Sequence, residues 1–331
     1  IFYERRKLMT SYILGTGSAV PANIVTNKYF STIVDTSDEW ITDRTGISER
    51  RISNSDTTAT LSIKAAIKAI KDSHISPEDI DLIIVATLTP DGKMPSTACK
   101  VQAATGAINA MCYDINAACT GFMYGLQTAH AFICSGLIKH ALIIGAETLS
   151  KIIDWTDRGT CVLFGDGAGA AILGVSHSDK RGILCLEHGS DGSKGDVLTC
   201  GNAPLINPFI QNDCSYPYVQ MNGQEVFKFA TRKIPEIIES LSTKSGIEIK
   251  DFNKILLHQA NKRIIQFAAK RLHLSDDIFP VNLDKYGNTS AASVAILLDE
   301  VLHNGTVKPG DLIALAGFGG GLTWAGILMT L

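Results

Sequence analysis

The chain repeats itself at long range. Ser135-Gly136-Leu137-Ile138-Lys139, followed by the apolar run Ala141-Leu142-Ile143-Ile144-Gly145, is echoed by Asn304-Gly305-Thr306-Val307-Lys308, followed by Asp311-Leu312-Ile313-Ala314-Leu315. Each reads as a helix end, a turn and a buried strand. Upstream, Asp79-Ile80-Asp81-Leu82-Ile83-Ile84-Val85 is echoed by Asp251-Phe252-Asn253-Lys254-Ile255-Leu256-Leu257, each after an amphipathic helical pattern. Gly305 lies 169 residues after Gly136 and Asp251 lies 172 after Asp79, so both echoes keep nearly one register. One α/β unit is duplicated, and each copy alternates strands and helices. Two such copies predict two mostly parallel sheets with helices between and outside them, because every half-apolar element must bury its face against another layer. The halves are expected at residues 9–178 and 179–331, with the Gly-, Asp-, Ser- and Pro-rich stretch from about Ser176 to Val219 at their junction. Ile1 to Leu8 precede Met9 and read as an extension outside the fold.

Reactive chemistry is suggested where the apolar run Met111 to Ile115 stops and a helical pattern begins, in Asp114-Ile115-Asn116-Ala117-Ala118-Cys119-Thr120-Gly121-Phe122. A thiol at a helix N-terminus faces unpaired N–H groups and the positive end of the helix dipole, so the Cys119 pKa is expected to fall. A single cysteine is by default a small buried hydrophobe, and Cys119 stands out through its company. His258 follows the short apolar run Lys254 to Leu257 and precedes a helix start at Gln259-Ala260-Asn261. Asn288, in Tyr286-Gly287-Asn288-Thr289-Ser290, precedes a helix with the apolar face Val294, Leu297, Leu298, Val301 and Leu302. All three therefore read as strand-to-helix corners, which in parallel α/β sheets lie at the strand ends where active sites gather. By the duplication, Cys119 and Asn288 stand before equivalent helices, and a pseudo-twofold axis would bring them together. Taken singly, a histidine ending a strand is usually structural and an Asn after Gly is first a turn former.

Two glycine-rich segments remain. Gly317-Phe318-Gly319-Gly320-Gly321, after the apolar run Leu312 to Ala316, lets backbone N–H groups approach a ligand, as an oxyanion hole requires; a tight turn is the simpler alternative. Gly15-Thr16-Gly17 lacks the third glycine of a dinucleotide fingerprint, since Val20 stands there with Pro21 next, and reads as a turn.

Taken in order, Asp35-Thr36-Ser37-Asp38-Glu39-Trp40-Ile41, Arg44-Thr45-Gly46-Ile47, Asn116-Ala117-Ala118-Cys119, Phe164-Gly165-Asp166-Gly167-Ala168-Gly169-Ala170, His258-Gln259-Ala260-Asn261, Tyr286-Gly287-Asn288-Thr289-Ser290 and Gly319-Gly320-Gly321 resemble β-ketoacyl-acyl-carrier-protein synthase III, the initiating condensing enzyme of type II fatty acid synthesis. The resemblance runs from about Thr10 to Leu331. It implies a thiolase-like layered α/β fold and decarboxylative condensation of a short acyl-CoA, acetyl-CoA first, with malonyl-acyl-carrier protein. Cys119 would be the nucleophile, the backbone N–H groups of Cys119 and Gly320 the oxyanion hole, and His258 and Asn288 the donors that hold the enolate left by loss of CO₂. No metal or other cofactor is implied. Elongating relatives carry two histidines and thiolases a second cysteine, so Asn288 and the glycine triplet match the initiating class.

The resemblance also implies substrate contacts. Trp40 and Arg158 match the pair that sandwiches the adenine of coenzyme A, with Thr36 beside the ring and Arg44 and Arg263 near phosphates; indole with a cation suits a purine. Asn261 and Gly223 match pantetheine contacts, with Phe227 nearby. Leu149 and Phe164 match acyl-pocket walls, and Met94, in Gly92-Lys93-Met94-Pro95-Ser96, matches a side chain that family dimers insert into the partner's pocket. Lys262, Arg263, Lys270 and Arg271 share one helical pattern, a basic face suited to an acidic carrier protein.

Composition fits this reading. A length of 331 residues suits two units of ordinary domain size, and 45% hydrophobic, 19% charged and a formal charge of −3 are ordinary for a soluble enzyme. No charge excess points to nucleic acid, no apolar stretch reaches a membrane span, and no signal peptide is evident, so a cytoplasmic protein is the expectation, and the resemblance implies a homodimer. The eight cysteines form no CxxC pair, against a zinc site. Competing readings are an acyltransferase or specialised-metabolite condensing enzyme on the same fold, and an inactive partner subunit, which would lack Cys119. A papain-like hydrolase also uses Cys, His and Asn but has no such duplication.

Overall fold

In the computed structural model, which describes residues 9–178, 181–201, 207–209 and 216–331, the duplication appears directly as two sheets with matching strand order. The first runs Thr10–Ala19, Gly167–Ser176, His140–Glu147, Leu82–Ala86 and Met111–Ile115. The second, in the same sense, runs Gly182–Ser190, Thr323–Thr330, Leu312–Gly319 and Lys254–Leu257. In each sheet one strand, Gly167–Ser176 or Thr323–Thr330, is antiparallel to both neighbours while all the others share a direction. The sheets are thus mostly parallel with a single reversed strand each. Residues 1–8 and parts of the 176–219 junction lie outside the described residues; within the junction, Leu198–Cys200 pairs with Val219–Met221.

Five layers result. Helices Gly121–Cys134 and Ala292–His303 lie between the sheets, sharing a core with Leu82, Ile143 and Leu173 of one sheet and Leu256, Leu315 and Ile327 of the other. Their sequences explain the placement. Every residue from Ala292 to Leu298 is buried, as expected of a helix apolar on all sides. The outer helices carry a single apolar stripe. Thr58–Ser73 and Thr97–Thr105 cover the first sheet, and Gly223–Ser245 and Lys262–Leu272 cover the second. Among the described residues no helix is long and apolar enough to cross a membrane.

Two expectations are corrected here. Gly15-Thr16-Gly17 is no turn but part of the strand Thr10–Ala19. Its glycines serve the packing of helix Thr58–Ser73: a Cβ on Gly15 would stand 2.3 Å from Ser73 N, and one on Gly17 2.5 Å from Ala65 O. Asn288, too, does not sit on a strand-to-helix corner. Among the described residues the second half has no counterpart of the strand Met111–Ile115; after Pro280, which lacks a ladder donor, the chain enters the short helix Leu283–Tyr286.

Because the obstruction at Gly17 is backbone, it cannot rotate away. Gly17→Ala is expected to destabilise the protein by about 1–3 kcal/mol through overpacking, read as a lowered urea midpoint with an unchanged slope. An unchanged midpoint would show that the helix does not bear on this strand as closely as described.

Candidate active site

Cys119 lies in a single 3-10 turn, Ala118–Thr120, between the end of the strand Met111–Ile115 and the central helix Gly121–Cys134. Ala118 adopts φ +45°, a left-handed kink that turns the chain sharply before the nucleophile. The turn is fastened to the opposite half. Thr120 Oγ1 donates to Ala117 O at 2.7 Å or shares its proton with Thr323 Oγ1, also at 2.7 Å. The strand Leu312–Gly319 ends against it so tightly that a Cβ on Gly319 would fall 2.8 Å from Cys119 N. This contact requires glycine and brings Gly320 into the same cavity wall as Cys119.

The expected fall of the thiol pKa is overturned. Burial pushes the Cys119 thiol up to about 12, with the Ser290 hydroxyl opposing the rise and Glu147 adding to it. Desolvation of a thiolate at the base of a closed site outweighs the favourable helix terminus.

His258 leaves the strand Lys254–Leu257 and is tied to its neighbour strand by a bond from its N–H to Ala316 O at 2.9 Å. Its ring packs edge-on against Phe318, centroids 5.5 Å apart, and Nδ1 lies 2.6 Å from Ser293 Oγ. Burial holds its pKa down at about 3, so the imidazole is neutral in the working range. In the tautomer in which Ser293 donates to Nδ1, the proton sits on Nε2, which is then a donor. Asn288 is clamped by its own backbone: its N–H donates to Leu163 O at 2.9 Å and its carbonyl accepts from Gly165 N at 3.0 Å. Buried Arg50 supports this segment by donating to Val162 O. The Asn288 side-chain oxygen accepts from Ser290 N–H at 2.8 Å, which fixes the amide so that its NH₂ is left for a ligand.

These groups share one cavity of about 830 Å³. Of the residues singled out in the sequence, Cys119, His258, Asn288, Gly320, Leu149, Phe164, Gly223, Phe227 and Asn261 line it. Thr36, Trp40, Arg44, Arg158, Arg263 and Met94 do not, and Met94 is 86% exposed. Lys262, Arg263, Lys270 and Arg271 are exposed on the helix Lys262–Leu272. A rim joins the two groups. Asn261 accepts from Arg263 N–H at 2.8 Å as the helix cap and donates to Arg44 O at 3.0 Å, while Arg263 Nε donates to Asp43 O at 3.1 Å. Over the Trp40 ring stand the guanidinium carbons of Arg44 and Arg158, at 5.0 and 5.1 Å from the centroid. Arg158 lies directly on the indole, with Nη1 donating to Asp35 O at 2.8 Å, so a base sandwiched there has to part the two side chains. Thr36 Oγ1 is buried with no hydrogen-bond partner among the described residues.

Several contributors escaped the sequence reading. Ser290, inside the Asn288 motif, has φ +49° and lines the cavity with Cys119; Ser293 contacts His258 Nδ1; Phe318 supports its ring; and Glu147 is a fully buried carboxyl group accepting from Ser290 Oγ. Ser290 was within a quoted motif. No periodicity or spacing marks Glu147, which ends an apolar strand.

Known proteins resemble this chain in sequence and fold. Residues 113–192 match the family model described as 3-oxoacyl-[acyl-carrier-protein (ACP)] synthase III, and residues 242–331 match that of its C-terminal part. A Clostridium botulinum β-ketoacyl-[acyl-carrier-protein] synthase III is 54% identical over 320 residues, covering 95% of this chain and 97% of that protein. One from Clostridium acetobutylicum is 53% identical over 318 residues, 96% and 97% of the two chains. The crystal structure of 3-oxoacyl-[acyl-carrier-protein] synthase III from Aquifex aeolicus superposes with a TM-score of 0.91 at 45% identity, covering 97% of this chain and all of that one. With near-complete coverage in both directions and both halves matched, the chain belongs to the 3-oxoacyl-[acyl-carrier-protein] synthase III family.

Proposed function

We propose that the protein condenses a short acyl-CoA, acetyl-CoA first among them, with malonyl-acyl-carrier protein to give 3-oxoacyl-acyl-carrier protein, initiating fatty acid synthesis. The observation that carries this reading is the convergence of Cys119 with two neutral donors, His258 and Asn288, on one cavity. In the first half-reaction Cys119 Sγ attacks the acyl-CoA carbonyl, and the oxyanion is received by the backbone N–H groups of Cys119 and Gly320. In the second, the malonyl group loses CO₂ and leaves an enolate on its thioester oxygen. A neutral imidazole kept in its Nε2–H form and a fixed amide NH₂ stabilise that charge where it develops without having to reorganise. The reaction as written calls on no metal or other cofactor. The reading extends to a cytoplasmic homodimer, in which exposed Met94 enters the partner's acyl pocket beside Leu149 and Phe164. Coenzyme A would then lie over Trp40, with Thr36, Arg44, Arg158 and Arg263 around its head and Gly223, Phe227 and Asn261 along its arm.

The half-reactions separate by mutation. Asn288→Ala should still accept acetyl from acetyl-CoA but lose CO₂ release by two or more orders of magnitude, about 3 kcal/mol, as for one preorganised donor. Cys119→Ala should take up no acetyl yet decarboxylate malonyl thioester slowly. Radiolabelled acetyl transfer and CO₂ release, run separately, read both; wild-type CO₂ release from Asn288→Ala would replace this reading with a plain acyltransferase.

The basic helix makes a second claim. Reversing Lys262 and Lys270 to Glu is expected to raise KM for malonyl-carrier protein and weaken its salt dependence, with acetyl-CoA transfer little changed. Unaltered carrier kinetics would remove this helix as the docking face.

A further inference from the structure

The largest fully buried side chain among the described residues is a cation, Arg50, at 0% exposure. A guanidinium taken out of water is costly unless its surroundings replace the lost hydration, and a site that only needed filling would hold an apolar residue. Among the described residues no carboxylate pairs with it. Its fork spans two neutral acceptors instead: Nη1 donates to Asn27 Oδ1 at 2.7 Å and Nη2 donates to Val162 O. The Phe30 ring centroid lies 4.3 Å from the guanidinium carbon, and Nε has no hydrogen-bond partner among the described residues.

The two acceptors belong to different parts of the site. Val162 opens the segment whose Leu163 O accepts from Asn288 N–H and whose Gly165 N–H donates to Asn288 O. The Arg50 stem lies against the same turn, since a Cβ on Gly165 would stand 3.2 Å from Arg50 Cβ and one on Gly287 3.3 Å from it. Gly287, at φ +65°, directly precedes Asn288, and a Cβ there would also meet Leu163 O at 2.8 Å. Asn27, 1% exposed, takes the other end of the guanidinium. Its Nδ2 donates to Asp38 Oδ1 at 2.8 Å and to Ile47 O at 2.7 Å, at the start and just past the end of the helix Asp38–Thr45 that carries Trp40 and Arg44.

Resting on the condensing reading above, we propose that Arg50 is a positioning residue for decarboxylation, its guanidinium fixing the Asn288 turn against the helix Asp38–Thr45 so that the Asn288 amide stays where the enolate charge develops. Arg50 does not line the cavity and acts only through Asn288. A rigid planar fork suits the task because it meets two acceptors in fixed directions at once, whereas a lysine ammonium on its flexible stem is a single point of attachment. Cys119 is held from the other side of the cavity, by the Thr120–Thr323 bond and the close approach of Gly319, neither of which involves Arg50. A change at Arg50 should therefore spare acyl loading and impair CO₂ release. A side chain that only filled space would move both together.

The test compares wild type with Arg50→Lys, Arg50→Met, Asn288→Ala and the double variant Arg50→Lys/Asn288→Ala. Single-turnover acetyl transfer from saturating acetyl-CoA and CO₂ release from malonyl-CoA are measured separately on each. A misplacement of about 1 Å can cost about a hundredfold, so CO₂ release is expected to fall about tenfold in Arg50→Lys, which keeps one anchor, and about a hundredfold in Arg50→Met. Acetyl transfer should stay within about threefold of wild type in both. In the Asn288→Ala background Arg50→Lys should cost no more than about twofold further, because the donor it positions is already gone. Wild-type CO₂ release in the Arg50 variants would overturn the proposal, as would a full tenfold further loss in the double variant. A parallel loss of both half-reactions in Arg50→Lys, unfolding included, would overturn it too and leave Arg50 a purely structural residue. Wild-type CO₂ release from Asn288→Ala alone would instead overturn the condensing reading, and the role of Arg50 with it.

Discussion

The site depends on one close approach, the end of the strand Leu312–Gly319 lying against the turn Ala118–Thr120. A Cβ on Gly319 would collide with Cys119 N at 2.8 Å, so the two halves of the duplication meet with no side chain between them. That contact closes the base of the cavity and sets the glycine triplet beside the nucleophile. It also aligns the two central helices, each opening at a residue pair the chemistry uses: Cys119 and Thr120 before one, Ser290 and Ser293 at the start of the other. Thr120 and Thr323, hydrogen-bonded across the same seam, keep it in register.

Exclusion of water at this seam decides the protonation of every group in it. The same desolvation raises Cys119 and Glu147 and lowers His258, leaving three neutral or nearly neutral groups rather than a thiolate and imidazolium pair. Neutral donors favour enolate chemistry, since they stabilise a charge that exists only during reaction and do not hold a counter-ion beforehand. The cost is a reluctant thiol.

Much of this was legible in the sequence. The offset shared by Gly136 and Gly305 foretold the matching sheets, and the apolar runs before Cys119 and His258 placed both at strand ends. What escaped was set by tertiary packing. Gly15 and Gly17 look like a turn because local chemistry cannot reveal that Ser73 and Ala65 press on them from a helix about fifty residues away. The thiol pKa was misjudged because a helix terminus is visible in sequence and the depth of burial is not. Glu147 gave no signal, being a single carboxylate closing an apolar strand, and its partners Thr87, Thr89 and Ser290 come from distant segments.

The central claim is that one thiol, Cys119, carries the acyl group and surrenders it only to a decarboxylated malonyl thioester. Weighing the intact protein after acetyl-CoA, and again after malonyl-carrier protein is added, tests it most directly. The account predicts one acetyl adduct, mapped to Cys119, that disappears as 3-oxoacyl carrier and CO₂ form. An adduct elsewhere, or one on Cys119 that survives excess malonyl-carrier protein, would contradict it.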